Sequence, residues 1–228
     1  HSCALMTAGN VKCWGDATFG PALGPGPLPG LFFSVVPVDV PGLEGVTGIS
    51  AGTWHGCALL GAGGLKCWGW NAFGMLGDGT LTDRAEPGDV AGLASGVAAA
   101  ASNDTHACAA LPGGGVKCWG KNEVGQLGDG TTTGRTTPVD VIGLAASVSK
   151  VAPGRGHTCA LSVTGGVSCW GDNFAGQLGD GTTTASLSAV GVTGLSEGVL
   201  AISSGLEHAC ALLASGGLRC WGLNSSGQ

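Results

Sequence analysis

The sequence predicts an all-β fold, a β-propeller of four-stranded blades at about 51 residues per repeat, and three observations carry that prediction. Lys-Cys-Trp-Gly or a near copy recurs five times, with Trp14, Trp68, Trp119, Trp170 and Trp221 spaced by 54, 51, 51 and 51 residues. Each copy follows a His-x-Cys-Ala segment whose cysteine lies ten residues before the second one. No stretch keeps a helical period, while short apolar runs alternate with glycine-rich turns.

The hairpins come first. Setting the cysteines opposite each other in an antiparallel pair joins Cys3 to Cys13, Cys57 to Cys67, Cys108 to Cys118, Cys159 to Cys169 and Cys210 to Cys220. A three-residue loop remains in every case, and its third position is Gly9, Gly63, Gly114, Gly165 or Gly216. That is where such a loop needs the left-handed backbone that glycine adopts without steric cost. In the same register each tryptophan faces a small residue: Ser2, Gly56, Ala107, Thr158 or Ala209. His1, His55, His106, His157 and His208 face Gly15, Gly69, Gly120, Gly171 and Gly222, so bulk meets space throughout.

Two further strands complete a blade. One is the run before the histidine, at Val46 to Ser50, Val148 to Ala152 and Val199 to Ser203; the other is the Pro-Val-Asp-Val type of run at Pro37 to Val40 and Pro138 to Val141. Repeats of this kind bury their faces against their neighbours, so the core is expected between blades. The whole chain, 1–228, reads as one repeat domain with hairpins at 1–15, 55–69, 106–120, 157–171 and 208–222. Five cysteine hairpins but four connectors are present, which reads as part of a larger ring, with a five-bladed closure as the alternative.

Composition narrows the function. Of 228 residues 46 are glycine and 10 proline, a share at which disorder is a real alternative. Only 11% charged residues beside 43% apolar ones argue for a folded chain instead. A net charge of −6 without a basic cluster argues against nucleic acid as a partner, and no apolar run approaches the roughly 20 residues of a membrane helix.

Opposed residues in an antiparallel pair lie within disulfide reach, so five intrablade disulfides are expected. Each closes a loop of ten residues, for about 2–3 kcal/mol by chain-entropy arguments, and together they imply an extracellular or cell-surface location. Zinc is the rival. Yet each histidine stands about 7 Å along the strand from its cysteine, and the Cys-x2–4-Cys spacing of closed zinc sites is absent. The five histidines share one repeat position, which points to backbone hydrogen bonding inside each blade rather than to a singled-out catalytic base. The Gly-Asp-Gly-Thr segments at Asp78, Asp129 and Asp180 read as turns, since one carboxylate each is too little for calcium. No cofactor or metal and no catalytic residue is expected.

Specific function is expected where the copies disagree. Trp54 and Trp70 are additional to the repeated tryptophans and face each other in the cysteine register, with Phe73 three residues on. Their counterparts are Thr105 with Lys121, Gly156 with Asp172, and Glu207 with Leu223. An aromatic group at the open end of one hairpin is a candidate anchor for a protein or glycan partner, against the plainer reading of local packing.

The pattern His-x-x-Ala-Leu, then Gly-x-Val-x-x-Trp-Gly-x-Asn-x-x-Gly-Gln-Leu-Gly-x-Gly, then Pro-x-x-Val resembles the regulator-of-chromosome-condensation repeat. The likeness covers nearly the whole chain and is closest in repeats three and four; repeat one departs after Gly20, where Pro21 to Ser34 is longer and proline-rich. The resemblance implies a seven-bladed ring. The family does not require cysteine at these places, so the staples are this chain's own. A non-catalytic, secreted binding scaffold is the leading expectation. Guanine-nucleotide exchange on a small GTPase, a propeller enzyme and a structural surface or filament component are the other readings.

Overall fold

The computed structural model describes residues 1–16 and 33–227. Most of the Pro21–Ser34 departure therefore lies outside the described residues, Phe33 and Ser34 beginning a strand. The described residues form eighteen strands in five antiparallel sheets, with no helix. The first sheet holds β1 (Ser2–Leu5), β2 (Val11–Asp16) and β3 (Phe33–Asp39). The second runs from inside to outside as β4 (Val46–Ala51), β5 (His55–Leu60), β6 (Leu65–Gly69) and β7 (Arg84–Asp89). The third repeats it with β8 (Ala99–Ser102), β9 (His106–Ala110), β10 (Val116–Gly120) and β11 (Arg135–Asp140). The fourth has β12 (Val148–Pro153), β13 (His157–Ser162), β14 (Val167–Gly171) and β15 (Ser186–Gly191). The fifth comprises β16 (Val199–Ser204), β17 (His208–Leu213) and β18 (Leu218–Gly222). The inner strands β4, β8, β12 and β16 stand side by side in that order.

The hairpin register is the one the cysteines specify. Cys3, Cys57, Cys108, Cys159 and Cys210 each lie opposite their partner, and all ten cysteines are disulfide-bonded with Cα atoms 4.1 Å apart. The loop glycines Gly9, Gly63, Gly114, Gly165 and Gly216 have φ between 78° and 91°. Two irregularities escaped the sequence: the inner strand's pairing slips between Val46 and Gly48, Val148 and Lys150, and Val199 and Ala201, and a second slip falls at the tryptophan. Between the second cysteine and the glycine two residues on, the pairing with the outer strand slips, so Trp68, Trp119 and Trp170 sit on bulges. The following Gly69, Gly120 and Gly171 take φ of 112°, 112° and 101°, turning the indole out of the ladder toward the neighbouring blade.

That turn builds the core. Trp119 of the third sheet packs with Leu65, Leu76, Val90 and Leu93 of the second repeat; Trp170 packs with Val116 and Leu127 of the third. Trp119, Trp170 and Trp221 donate Nε1–H to the carbonyl oxygens of Met75, Gln126 and Gln177 in the preceding connector, at 2.8, 2.9 and 3.0 Å. A Cβ on Gly77, Gly128 or Gly179 would come within 2.9 Å of the neighbouring indole, so those connector glycines are required by the next blade's tryptophan. The connector itself is held by a buried asparagine three residues beyond the tryptophan. Asn122 donates to the Thr131 and Thr133 carbonyls and accepts from Leu127 N, and Asn71 and Asn173 repeat the arrangement.

Candidate functional site

Each inner strand reaches its hairpin through a two-residue tip. The backbone closes from Gly52 N to His55 O, Asn103 N to His106 O, Gly154 N to His157 O and Gly205 N to His208 O. The tips are thus Thr53–Trp54, Asp104–Thr105, Arg155–Gly156 and Leu206–Glu207. Each is tied to its hairpin's far end by one hydrogen bond, from Trp70 N to Trp54 O, Lys121 N to Thr105 O, Asp172 N to Gly156 O and Leu223 N to Glu207 O, at 2.8–2.9 Å. Four equivalent backbones therefore present four different side-chain sets along one rim, and Trp54 and Trp70 face each other as their spacing requires.

Beneath the rim lies the histidine layer. His55, His106 and His157 are fully buried. Backbone hydrogen bonding inside the blade is expected for this position, yet His1 Nδ1 lies 3.2 Å from Thr53 O in the tip of the next blade. Nor does the expectation hold for the buried three. His106 Nε2 lies 2.7 Å from Thr158 Oγ1, which in turn donates to Gln126 O, while both ring nitrogens of His55 and His157 lack a partner among the described residues. The rings of His55 and His157 lie so close to Gly52 and Gly154 that a Cβ there would stand 2.6 or 2.2 Å from ring Cε1, so both positions require glycine. Burial lowers the pKa of His55 and of His157 to about 4, the latter helped by nearby His208. Burial with His157 and His55 close by lowers His106 to about 3. These three rings are neutral at pH 7.

The rim changes character along its length. In repeat two Trp70 and Phe73, both half-buried, meet edge to face with centroids 5.5 Å apart. Lys121 of the next blade holds its Nζ 5.1 Å from the Phe73 centroid and 2.9 Å from Glu123. Past Lys121 the rim opens into a polar cavity of about 250 Å³ shared by repeats three, four and five. Position 75 is methionine where the cavity has Gln126 and Gln177. No single repeat contains this cavity, so the sequence signalled it only in the list of counterparts to Trp54 and Trp70. Asp78, Asp129 and Asp180 act as turn acceptors, each taking the NH of the threonine two residues on. Among the described residues no three His, Cys, Asp or Glu side chains gather as a metal site.

Repeated four-stranded blades, indole-to-connector hydrogen bonds and a variable rim define a propeller-repeat scaffold, stapled here by one disulfide per blade. The regulator of chromosome condensation (RCC1) repeat matches residues 46–74, 97–126, 148–177 and 199–228, and in a second form 114–161, and the chain belongs to that family. It is 30% identical to the ultraviolet-B receptor UVR8 of Arabidopsis thaliana over 233 aligned residues, which span 100% of this chain and 52% of that one. Its fold is similar to that of yeast RCC1 (Prp20) in complex with Kap60, with a TM-score of 0.80, 26% identity and coverage of 96% of this chain and 54% of that chain. A second structure of Prp20p, from Saccharomyces cerevisiae, gives a TM-score of 0.79 at 25% identity, with 96% and 55% covered. The chain thus spans about half the length of these relatives.

Proposed function

We propose that the chain is a non-catalytic, extracellular or cell-surface scaffold that binds a protein through the rim. The observation that carries this is the rim itself: four backbone-equivalent tips on a rigid layer, with side chains that differ in every repeat. Trp70 and Phe73 supply the aromatic anchor typical of a binding hot spot. Protein ligands also fit the relatives, since yeast RCC1 has been solved with Kap60 and Prp20p studied for binding to Gsp1p and histones. The extracellular part of the proposal is supported by the pairing of all ten cysteines. A role on a small GTPase is the second reading, favoured by the Gsp1p-binding relative and opposed by the disulfides.

The test compares wild-type chain with Trp70→Ala, immobilised against surface and secreted proteins and against a glycan array. The expected result is a protein retained by wild type and lost by Trp70→Ala, with melting nearly unchanged. Equal retention by both, retention of glycans alone, or loss accompanied by collapse of the fold contradicts the proposal.

A further inference from the structure

The polar cavity beside the aromatic anchor is charged out of balance. Its walls carry three carboxylates, Glu123, Asp172 and Glu207, against two cations, Lys121 and Arg155. Lys121 is occupied by Glu123 at 2.9 Å. Arg155 reaches Glu207 only at 3.8 Å, and its side chain is 64% exposed where that of Glu207 is 27%. Asp172 makes no ion pair among the described residues. Its Oδ1 accepts from Asn173 N and Phe174 N, and Oδ2 is left toward the space beside Gly156, where a Cβ would lie 3.6 Å from it.

A second observation points into the same cavity. Gln126 and Gln177, 2% and 1% exposed, line it, and their Oε1 atoms accept from Val124 N and Ala175 N. The Oε1 bonds are the only side-chain hydrogen bonds these two glutamines make among the described residues, and the Oγ1 of Thr105, also in the wall, is buried without a partner. Buried polar groups are nearly always satisfied, so the buried Thr105 hydroxyl beside two glutamine side chains marks a place where a polar group belongs. The carboxylates, surplus at half-buried depth, and the Thr105 hydroxyl accept, so the group they call for is a cation with several donors, and the planar guanidinium matches carboxylate better than a compact ammonium; the glutamine amides call for acceptors beside it.

We infer that the cavity between repeats three, four and five receives an arginine side chain of the protein partner, its guanidinium held by Asp172 and Glu207. Backbone carbonyls flanking that arginine would meet the amide donors of Gln126 and Gln177. The inference rests on the rim being a protein-binding face and adds the chemistry of the partner: an arginine placed beside an apolar residue that seats against Trp70 and Phe73.

The test titrates the whole chain with N-acetyl-arginine amide and with its neutral isostere N-acetyl-citrulline amide, following backbone and glutamine side-chain amides by NMR. Saturable shifts at Gly156 and at the Gln126 and Gln177 side chains are expected with arginine only. Asp172→Asn keeps the Oδ1 acceptor and removes the charge; combined with Glu207→Gln it is expected to weaken arginine binding about tenfold or more. Equal shifts with citrulline, preference for N-acetyl-glutamate amide, no saturable shift, or an unweakened double variant would overturn the inference. Retention of a partner that depends on Trp70 but is indifferent to the double variant would remove the arginine site and leave the binding rim standing.

Discussion

The buried layer of indoles and imidazoles and the rim above it share the same backbone repeat but obey opposite rules. In the layer Trp68, Trp119 and Trp170 are equivalent, as are His55, His106 and His157, and each is 1% exposed or less. On the rim Trp54, Thr105, Gly156 and Glu207 occupy one position and have nothing chemical in common. Residues that repeat carry the interblade packing; residues that do not repeat give each blade its own rim chemistry.

Reduction of the disulfides tests the layer most severely. With bridges worth about 2–3 kcal/mol each, full reduction is expected to abolish the cooperative melting transition. Partial reduction followed by alkylation and mass spectrometry should open Cys210–Cys220 first, because Cys220 is exposed while Cys67, Cys118 and Cys169 are completely buried. Next in size is Trp119→Ala, which empties an interblade site and strands the Met75 carbonyl, for about 3–5 kcal/mol in a denaturant titration. An effect near zero would mean that the blades do not lean on the indole.

Acid probes the imidazoles. A histidine whose folded pKa lies below its unfolded value stabilises the neutral-pH fold fully above about pH 6.5, and that stability is lost as pH falls toward the folded pKa. With His55 and His157 near 4 and His106 near 3, stability is expected to decline between pH 6.5 and 4, ahead of the carboxylates. A melting temperature flat over that window would contradict the burial of these rings as neutral groups.

The smallest effect lies at the connectors. Arg84 and Arg135 pair with Asp78 and Asp129, whereas the equivalent position beside Asp180 is Ser186. Burial opposes ionisation of Asp129, but hydrogen bonds from Thr131 and Arg135 outweigh it and hold the carboxyl below its usual range. Ser186→Arg should therefore stabilise repeat four by under about 1 kcal/mol, read as a small rise in melting temperature.

Much of this division was legible in the residues. Cysteines ten apart, a glycine at each loop's third position and a small residue opposite each tryptophan imposed one register, and the ladder follows it. The bulge at the tryptophan was not legible, because the glycine after it served equally well as space for the histidine. The role of Asn71, Asn122 and Asn173 was missed although the residue recurs, since nothing in a single repeat says that its partners lie nine and eleven residues on. The cross-strand pairs Lys12–Asp39, Lys66–Asp89 and Lys117–Asp140 went unread for the same reason. The cavity was hidden more deeply, being assembled from single residues of three repeats.

Melting of the rim-exchange variant Trp54→Thr/Trp70→Lys/Phe73→Val, which gives repeat two the side chains found at the same positions in repeat three, tests the separation of rim from layer most directly. The two regions being independent, the melting temperature should stay within about 4 °C of wild type, the shift that roughly 1 kcal/mol produces in a chain of this size. A drop several times larger, or loss of the cooperative transition, would show that the aromatic rim belongs to the fold and contradict its assignment as a binding surface.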